Sequence, residues 1–396
     1  MDIATEHQAV SEVTAELGFS RTAEVIEDHE GRAIKRAATR PLDSGFELQF
    51  EKRSCRVRDW STAGQPQPGL QSMGFEAIDL CRDQTLQSLL AELRQAGAIT
   101  PQQARSLRRR LDGQVFQLAG GKLLKVLQVA GEGLIMRKGG PNGLQVDPDV
   151  KMSEMNDHDV ALAVHGDQDV RGTPLKQMMR GFAPWMFRHQ TPDGSNTVSP
   201  LVLVNLWIPL QQVTRPLSLM DRRTLNAREH QLRYALPTDT FLNRNEEMRF
   251  NDIWAFLHDD AQHWYFNAGM GHDQAYIFDT LGEPHGSFIL PGEDVAEHYY
   301  KVLRRQLQQV EEGNVEQVPL AVPELPADTT APLRKAIATM ATLAANAPLA
   351  SEQPGVQAWI ASARQAMDSV VRKSLEMRVV AVLLPDRWPF NKSLAS

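Results

Sequence analysis

The chain has 396 residues, 42% hydrophobic and 23% charged, which is ordinary globular composition with length for one large domain or two smaller ones. A net charge of −7 argues against general affinity for phosphate backbones or anionic membranes, so neither nucleic acid nor a bilayer is an expected partner. Two cysteines, Cys55 and Cys81, are too few for a disulfide framework and read as reduced thiols of a cytoplasmic protein; the acids between Met1 and Leu17 argue against a signal peptide, and no apolar run reaches membrane-spanning length.

Residues 1–40 are polar and weakly patterned and read as a peripheral arm. Phe46, Leu48 and Phe50 alternate as in a strand, and a Pro/Gly/Gln turn region follows over 64–69. Leu86, Leu89, Leu90 and Leu93 fall at i, i+3, i+4, i+7 and predict a helix closed by Gly97. Thr100, Pro101 and Gln103 then carry a capping-box start for a second helix. That helix ends in Arg108, Arg109 and Arg110, read as a solvated face.

From Val115 to about Phe288 the signal changes to short strands between turn residues. They are expected at 115–118, 123–129, 160–164, 202–207, 264–267, 276–279 and 287–290, a pattern that suggests a sandwich or a barrel-like roll. After Pro291, Val295, Tyr299, Val302, Leu303 and Val310 mark a helix. A Pro-rich connector, 319–332, leads to Ala-rich helices at about 333–348 and 356–371, and β-type sequence returns at 379–384. No internal repeat is present.

The chemistry starts at His165-Gly166-Asp167. In an extended strand, residues i and i+2 point to one face, so an imidazole and a carboxylate converge there. A second histidine from a distant strand completes a facial triad, which leaves positions on iron open for a chelating co-substrate and dioxygen. His285 is the candidate; the 120 residues from 165 to 285 leave room for the intervening strands of a roll. His258-Asp259-Asp260 is a rival pair, but only 27 residues run from 258 to 285, too few for those strands. An anchor for a distal carboxylate is offered by Arg372 and Ser374, a guanidinium and a hydroxyl on one side of a strand. The competing reading places both on a solvated last helical turn, because Ala366, Met367, Val370 and Val371 continue a helical pattern up to Arg372.

Together these segments resemble the iron(II)/2-oxoglutarate oxygenase superfamily, and within it the CmcJ-like hydroxylases and desaturases of secondary metabolism. The resemblance runs from Ser72-Met73-Gly74-Phe75-Glu76 through Val164-His165-Gly166-Asp167 and Val204 to Leu210. It continues through Arg215-Pro216-Leu217 with Asp221, Gln262 to Met270, Phe278-Asp279-Thr280 and Pro284 to Phe288, and closes on Arg372 to Arg378. It covers roughly 70–380 and has one departure: the 87 residues from 285 to 372, where the family has a short loop.

The resemblance implies an α+β fold, a double-stranded β-helix (jelly-roll) core with flanking helices and a C-terminal helical insertion. The expected division is an arm at 1–40, a core with N-terminal helices at 41–290, the insertion at 291–371, and a closing strand with tail at 372–396. His165, Asp167 and His285 would hold Fe(II); Arg372 and Ser374 would anchor 2-oxoglutarate, with Arg378 as the alternative anchor. Asn205, Trp207, Trp264 and Tyr265 are the candidates for lining the substrate pocket. The implied activity is an iron- and 2-oxoglutarate-dependent dioxygenase that uses O2, releases succinate and CO2, and oxidises a small molecule, with hydroxylation as the default outcome. Asp167 stands where a halogenase would need an open position for halide. The insertion could cover the site mouth, form a homo-oligomer interface, or pack on the roll. Two rival readings are a cupin-type metal enzyme that does not use 2-oxoglutarate and a non-catalytic jelly-roll interaction module.

Overall fold

In a computed structural model of the chain, the described residues are all except 1–9, 23–24, 28–34, 38–49, 132, 147–152, 154, 159, 171–183, 193, 238–249, 313–322, 349–353 and 386–396. Two strongly curled sheets face each other. One has ten strands, ordered Glu12–Ser20, Phe50–Asp59, Trp264–Phe266, Leu217–Met220, His285–Ser287, His165–Gly166, Phe250–Phe256, Gln231–Pro237, Lys35–Ala37 and Val25–Glu27. The other is ordered Phe75–Asp79, Gln274–Asp279, Leu201–Gln211, Arg372–Leu384, Leu123–Val129 and Val115–Gln117, and Ile135–Gly139 pairs beside it on Arg372–Leu384. The fold is α+β, a jelly-roll core with flanking helices.

The strand period of two sorts the side chains into three layers. On Leu201–Gln211, Val202, Val204, Leu206, Ile208 and Leu210 face outward into one apolar cluster. That cluster is completed by helices α1 (Gln84–Ala96) and α2 (Pro101–Leu111), which bury Leu86, Leu90, Leu93, Ala104, Leu107 and Leu111. The capping box on Thr100 and Gln103 and the left-handed Gly97 C-cap form as expected. The alternate residues of the same strands, Trp207, Tyr276 and Phe278, meet Leu217, Leu219 and Tyr265 of the ten-stranded sheet inside the roll. The outer face of that larger sheet is covered by the C-terminal helices. A four-residue helix α3 (Ala227–His230) precedes them. Helices α4 (Glu293–Glu312), α5 (Ala331–Ala345) and α6 (Val356–Ser369) bury Leu303, Leu333, Met340 and Ala363 in one cluster with Leu17, Phe19, Val57, Trp264 and Phe288. The insertion is thus packed on the roll, over the face opposite the interior. No helix among the described residues is long and apolar enough to cross a membrane.

Two expectations are corrected. The arm at 1–40 contains a sheet strand, Glu12–Ser20, with Val13, Ala15, Leu17 and Phe19 all buried; its apolar alternation packs against the C-terminal helices. Residues 160–164 carry only an isolated bridge at Ala163, and the paired strand is His165–Gly166. The closing strand is Arg372–Leu384, and α6 stops at Ser369, so Arg372 and Ser374 stand on that strand and not on a helical turn. The strand expected over Phe46 and Leu48 lies outside the described residues until Phe50. The Arg108–Arg110 run is the last turn of α2, and Arg110 pairs with Asp83, the N-cap of α1.

Candidate metal centre

His165 and His285 are cross-strand partners on adjacent strands, and their rings lie 4.4 Å apart. The two strands approach closely because Gly286 has no side chain. A Cβ there would sit 3.3 Å from Ala163 O and Val164 Cα. Each histidine is oriented by the same local device. His165 Nδ1 donates to Ala163 O at 2.8 Å, and His285 Nδ1 donates to Glu283 O at 2.9 Å. A carbonyl can only accept, so Nδ1 carries the proton and Nε2 is left with its lone pair, the state a metal requires. Asp167 follows His165 by two residues and brings Oδ1 to 3.9 Å from His165 Nε2 and 3.8 Å from His285 Nε2. Among the described residues these three form a group able to hold a metal ion, with one donor atom from each and all within 4.8 Å of one another. Two imidazole nitrogens and one carboxylate oxygen on neighbouring strands are the donor set of a facial triad.

The electrostatics suit a cation. Burial alone pushes the Asp167 carboxyl upward, but Arg378, His285, His165 and the Asn205 amide outweigh it and hold the group ionised, well below the usual carboxylate range. Burial and then His285 lower His165 to about 4, so its ring is neutral at physiological pH despite Asp167 nearby.

The closing strand Arg372–Leu384 runs beside this centre. Its alternation sends Leu375, Met377, Val379 and Ala381 outward to α1 and α2, and Lys373 outward to Asp368 and Arg94 O. The intervening Arg372, Ser374, Glu376 and Arg378 are buried on the other face. Arg372 Nη1 donates to Ser287 Oγ at 2.6 Å and Nη2 to Ser374 Oγ at 3.1 Å, and the guanidinium lies 5.3 Å from the Trp207 ring. Ser287 is two residues beyond His285 on the same short strand, so the Arg372 cluster lies one strand step from the candidate metal ligands. In the sequence Ser287 stands out only as part of a motif; its position at i+2 from His285 is the signal for this contact.

The remaining candidates separate. Arg378 donates to Asp167 Oδ1 at 3.0 Å and to Gly133 O at 3.0 Å, so it is engaged by Asp167 and the backbone. Asn205 is fully buried and donates from Nδ2 to Asp167 Oδ2 at 2.8 Å. Trp207 and Tyr265 face the interior, where Trp207 stacks 5.7 Å from Tyr276. Trp264 does not line the interior: it packs 5.9 Å from Phe19, in the cluster under the C-terminal helices. Neighbouring residues of a strand face opposite ways, so Trp264 and Tyr265 cannot both line one pocket. The rival His258 reaches Asp260 at 3.8 Å, but that carboxylate is exposed and His258 packs on Phe19.

Sequence reasoning also missed the support behind His285. The buried Glu283 carboxylate lies 3.2 Å from Arg222 Nε, and Arg222 donates to Asp279 Oδ2 at 2.7 Å. Gly74, at φ +94°, makes room for Glu283; a Cβ there would overlap its carboxylate.

No protein-family model matches the sequence, and no curated protein does. Among solved structures, the chain is similar to "iron and alpha-ketoglutarate-dependent endoperoxidase NvfI" at 13% identity and a TM-score of 0.45, covering 94% of this chain and 98% of that one. A second structure of that protein in a different conformation gives 13% and 0.48, over 95% of this chain and 99% of that one. A variant of the same endoperoxidase with one tryptophan replaced by phenylalanine gives 14% and 0.47, over 94% and 97%. The candidate metal centre therefore stands on its own geometry: a His-x-Asp pair and a distant histidine, meeting inside a jelly-roll with a buried arginine one strand step away.

Proposed function

We propose that the protein is an Fe(II)- and 2-oxoglutarate-dependent oxygenase that hydroxylates a small molecule, of the CmcJ-like kind found in secondary metabolism. The observation that carries this reading is the convergence of His165 Nε2, Asp167 Oδ1 and His285 Nε2. Bound Fe(II) and 2-oxoglutarate would supply the oxygen chemistry, with O2 consumed, the substrate oxidised, and succinate and CO2 released.

The chain's own residues fit that pair of groups. Three protein donors leave coordination positions free for a chelating keto acid and for oxygen. Arg372 and Ser374, with Ser287, offer a buried charged fork and two hydroxyls to a carboxylate. Trp207 Nε1, buried in the interior beside Arg372, has no hydrogen-bond partner among the described residues. A buried donor left unmade costs about 1–3 kcal/mol, so a ligand acceptor there would be rewarded. Arg378 is already held by Asp167, which favours Arg372 as the anchor. Trp207 and Tyr265 exclude water from the interior, and the tautomers of His165 and His285 keep both Nε2 atoms directed inward.

The test is an anaerobic titration with Fe(II) and 2-oxoglutarate, read by the visible charge-transfer band. The wild-type chain should show the band, and its absence overturns the proposal. His165→Ala should abolish it. Arg372→Ala should raise the co-substrate concentration required by about ten- to a hundredfold, the loss of a charged hydrogen bond worth about 1.5–3 kcal/mol.

A further inference from the structure

A polar side chain in the middle of an apolar strand needs a reason. Leu201–Gln211 reads Leu-Val-Leu-Val-Asn-Leu-Trp-Ile-Pro-Leu-Gln, and Asn205 sits at its centre with no solvent exposure. Its Nδ2 donates 2.8 Å to Asp167 Oδ2. The residue directly opposite Asn205 on the neighbouring strand is Arg378, and its Nη2 donates 3.0 Å to Asp167 Oδ1. Thus one cross-strand pair of the seven-stranded sheet reaches across the interior and grips both oxygens of a carboxylate that directly follows strand His165–Gly166 of the ten-stranded sheet. Arg378 is held in turn by Gly133 O, and Gly133, at φ +76°, would meet the arginine with a Cβ at 3.1 Å.

The two oxygens are not equivalent. Oδ1 is the atom that faces His165 Nε2 and His285 Nε2. Oδ2 is the atom taken by the amide. A carboxylate accepts only, so the Asn205 amide must present its nitrogen, and the contact fixes the rotation of the carboxylate. We infer that Asn205, braced by Arg378, is a positioning residue that holds Asp167 as a one-oxygen ligand. Oδ2 is kept from swinging onto the metal and filling a position that must stay open. This inference rests on the metal-site reading above and adds to it a determinant of how many positions the protein leaves vacant.

The experiment uses the full chain loaded with Mn(II), whose octahedral preference suits the site, and reads water-proton relaxation, which counts the waters the bound ion retains. Wild type should hold Mn(II) with three exchangeable positions. In Asn205→Leu, similar in size but without a donor, Oδ2 is free to bind, so relaxivity per bound ion should drop by about one third, one of three open positions. Circular dichroism establishes that the variant is folded; should Asn205→Leu fail to fold, Asn205→Ser carries the same expectation. A folded variant that binds Mn(II) with wild-type relaxivity overturns the inference. So does a folded variant that binds no Mn(II), since the amide would then be needed to form the site rather than to shape it. A wild-type chain that takes no Mn(II) overturns the metal-site reading itself, a result distinct from either.

Discussion

The proton on a histidine decides whether it can take a metal, and in this site that proton is placed before any metal arrives. Nδ1 of both His165 and His285 donates to a carbonyl two residues back. Burial, with His285 alongside, lowers His165 to about 4 from an ordinary 6.5. The folded chain prefers the neutral ring, so this preference adds stability above pH 6.5 and loses it as the pH falls toward 4, where the unfolded chain has already taken the proton. Histidine-ring NMR on the metal-free protein should place the His165 midpoint near 4; a midpoint at 6 or above would contradict the structure. At this scale much was legible. His165 and Asp167 at i, i+2 and Arg372 and Ser374 at i, i+2 encode convergence in any strand. Asn205 was legible only as a candidate for lining the substrate pocket, not as a partner of Asp167. Its partner Asp167 lies 38 residues away, just past a strand of the other sheet, and no local spacing reports which face meets which.

Each element is fixed by contacts that the pattern of its own residues only half reveals. The alternation of Arg372–Leu384 between charged interior and apolar exterior follows from period two, but its start does not. Val370 and Val371 continue the spacing of α6, and the helix ends only because the chain turns there, with Thr214 Oγ1 donating to Val370 O and Gln211 Nε2 to Val371 O. The start of α4 is held in a comparable way. The buried Glu293 carboxylate accepts from the backbone N–H of Arg215 at 2.6 Å, Asn142 at 2.8 Å and Leu290 at 2.9 Å. Glu293→Ala would leave three backbone donors, those of Arg215 and Leu290 buried, without an acceptor. It should destabilise the fold by at least about 2 kcal/mol, measured by urea unfolding, with the metal ligands unaltered. A change below about 0.5 kcal/mol would mean that water satisfies these groups.

At the scale of the molecule, the C-terminal helices and the roll share one core. Leu333 and Met340 of α5 are fully buried in the cluster that holds Phe19, Trp264 and Phe288. Met340→Ala should therefore cost about 2–5 kcal/mol, and it should lower the denaturation midpoints of helix content and of metal binding together. Separate midpoints would show that the helices unfold on their own. The sequence announced these helices clearly but not what they cover, because an amphipathic face states only that it must be buried. The arm reading failed for the converse reason. Val13, Ala15, Leu17 and Phe19 did alternate, but within nine polar-flanked residues whose partner strand lies at Phe50–Asp59.

The strand Arg372–Leu384 lies between Leu201–Gln211 and Leu123–Val129 in its sheet, and it carries both Arg372 and Arg378. Its place in the chain orders events in time. During synthesis His165, Asp167 and His285 all leave the ribosome before it, yet the sheet stays open along its middle until this strand arrives. Until then Asp167 lacks its Arg378 contact and the Arg372 cluster has no guanidinium. The surroundings of the candidate metal centre are thus completed last, and maturation of the site coincides with closure of the sheet.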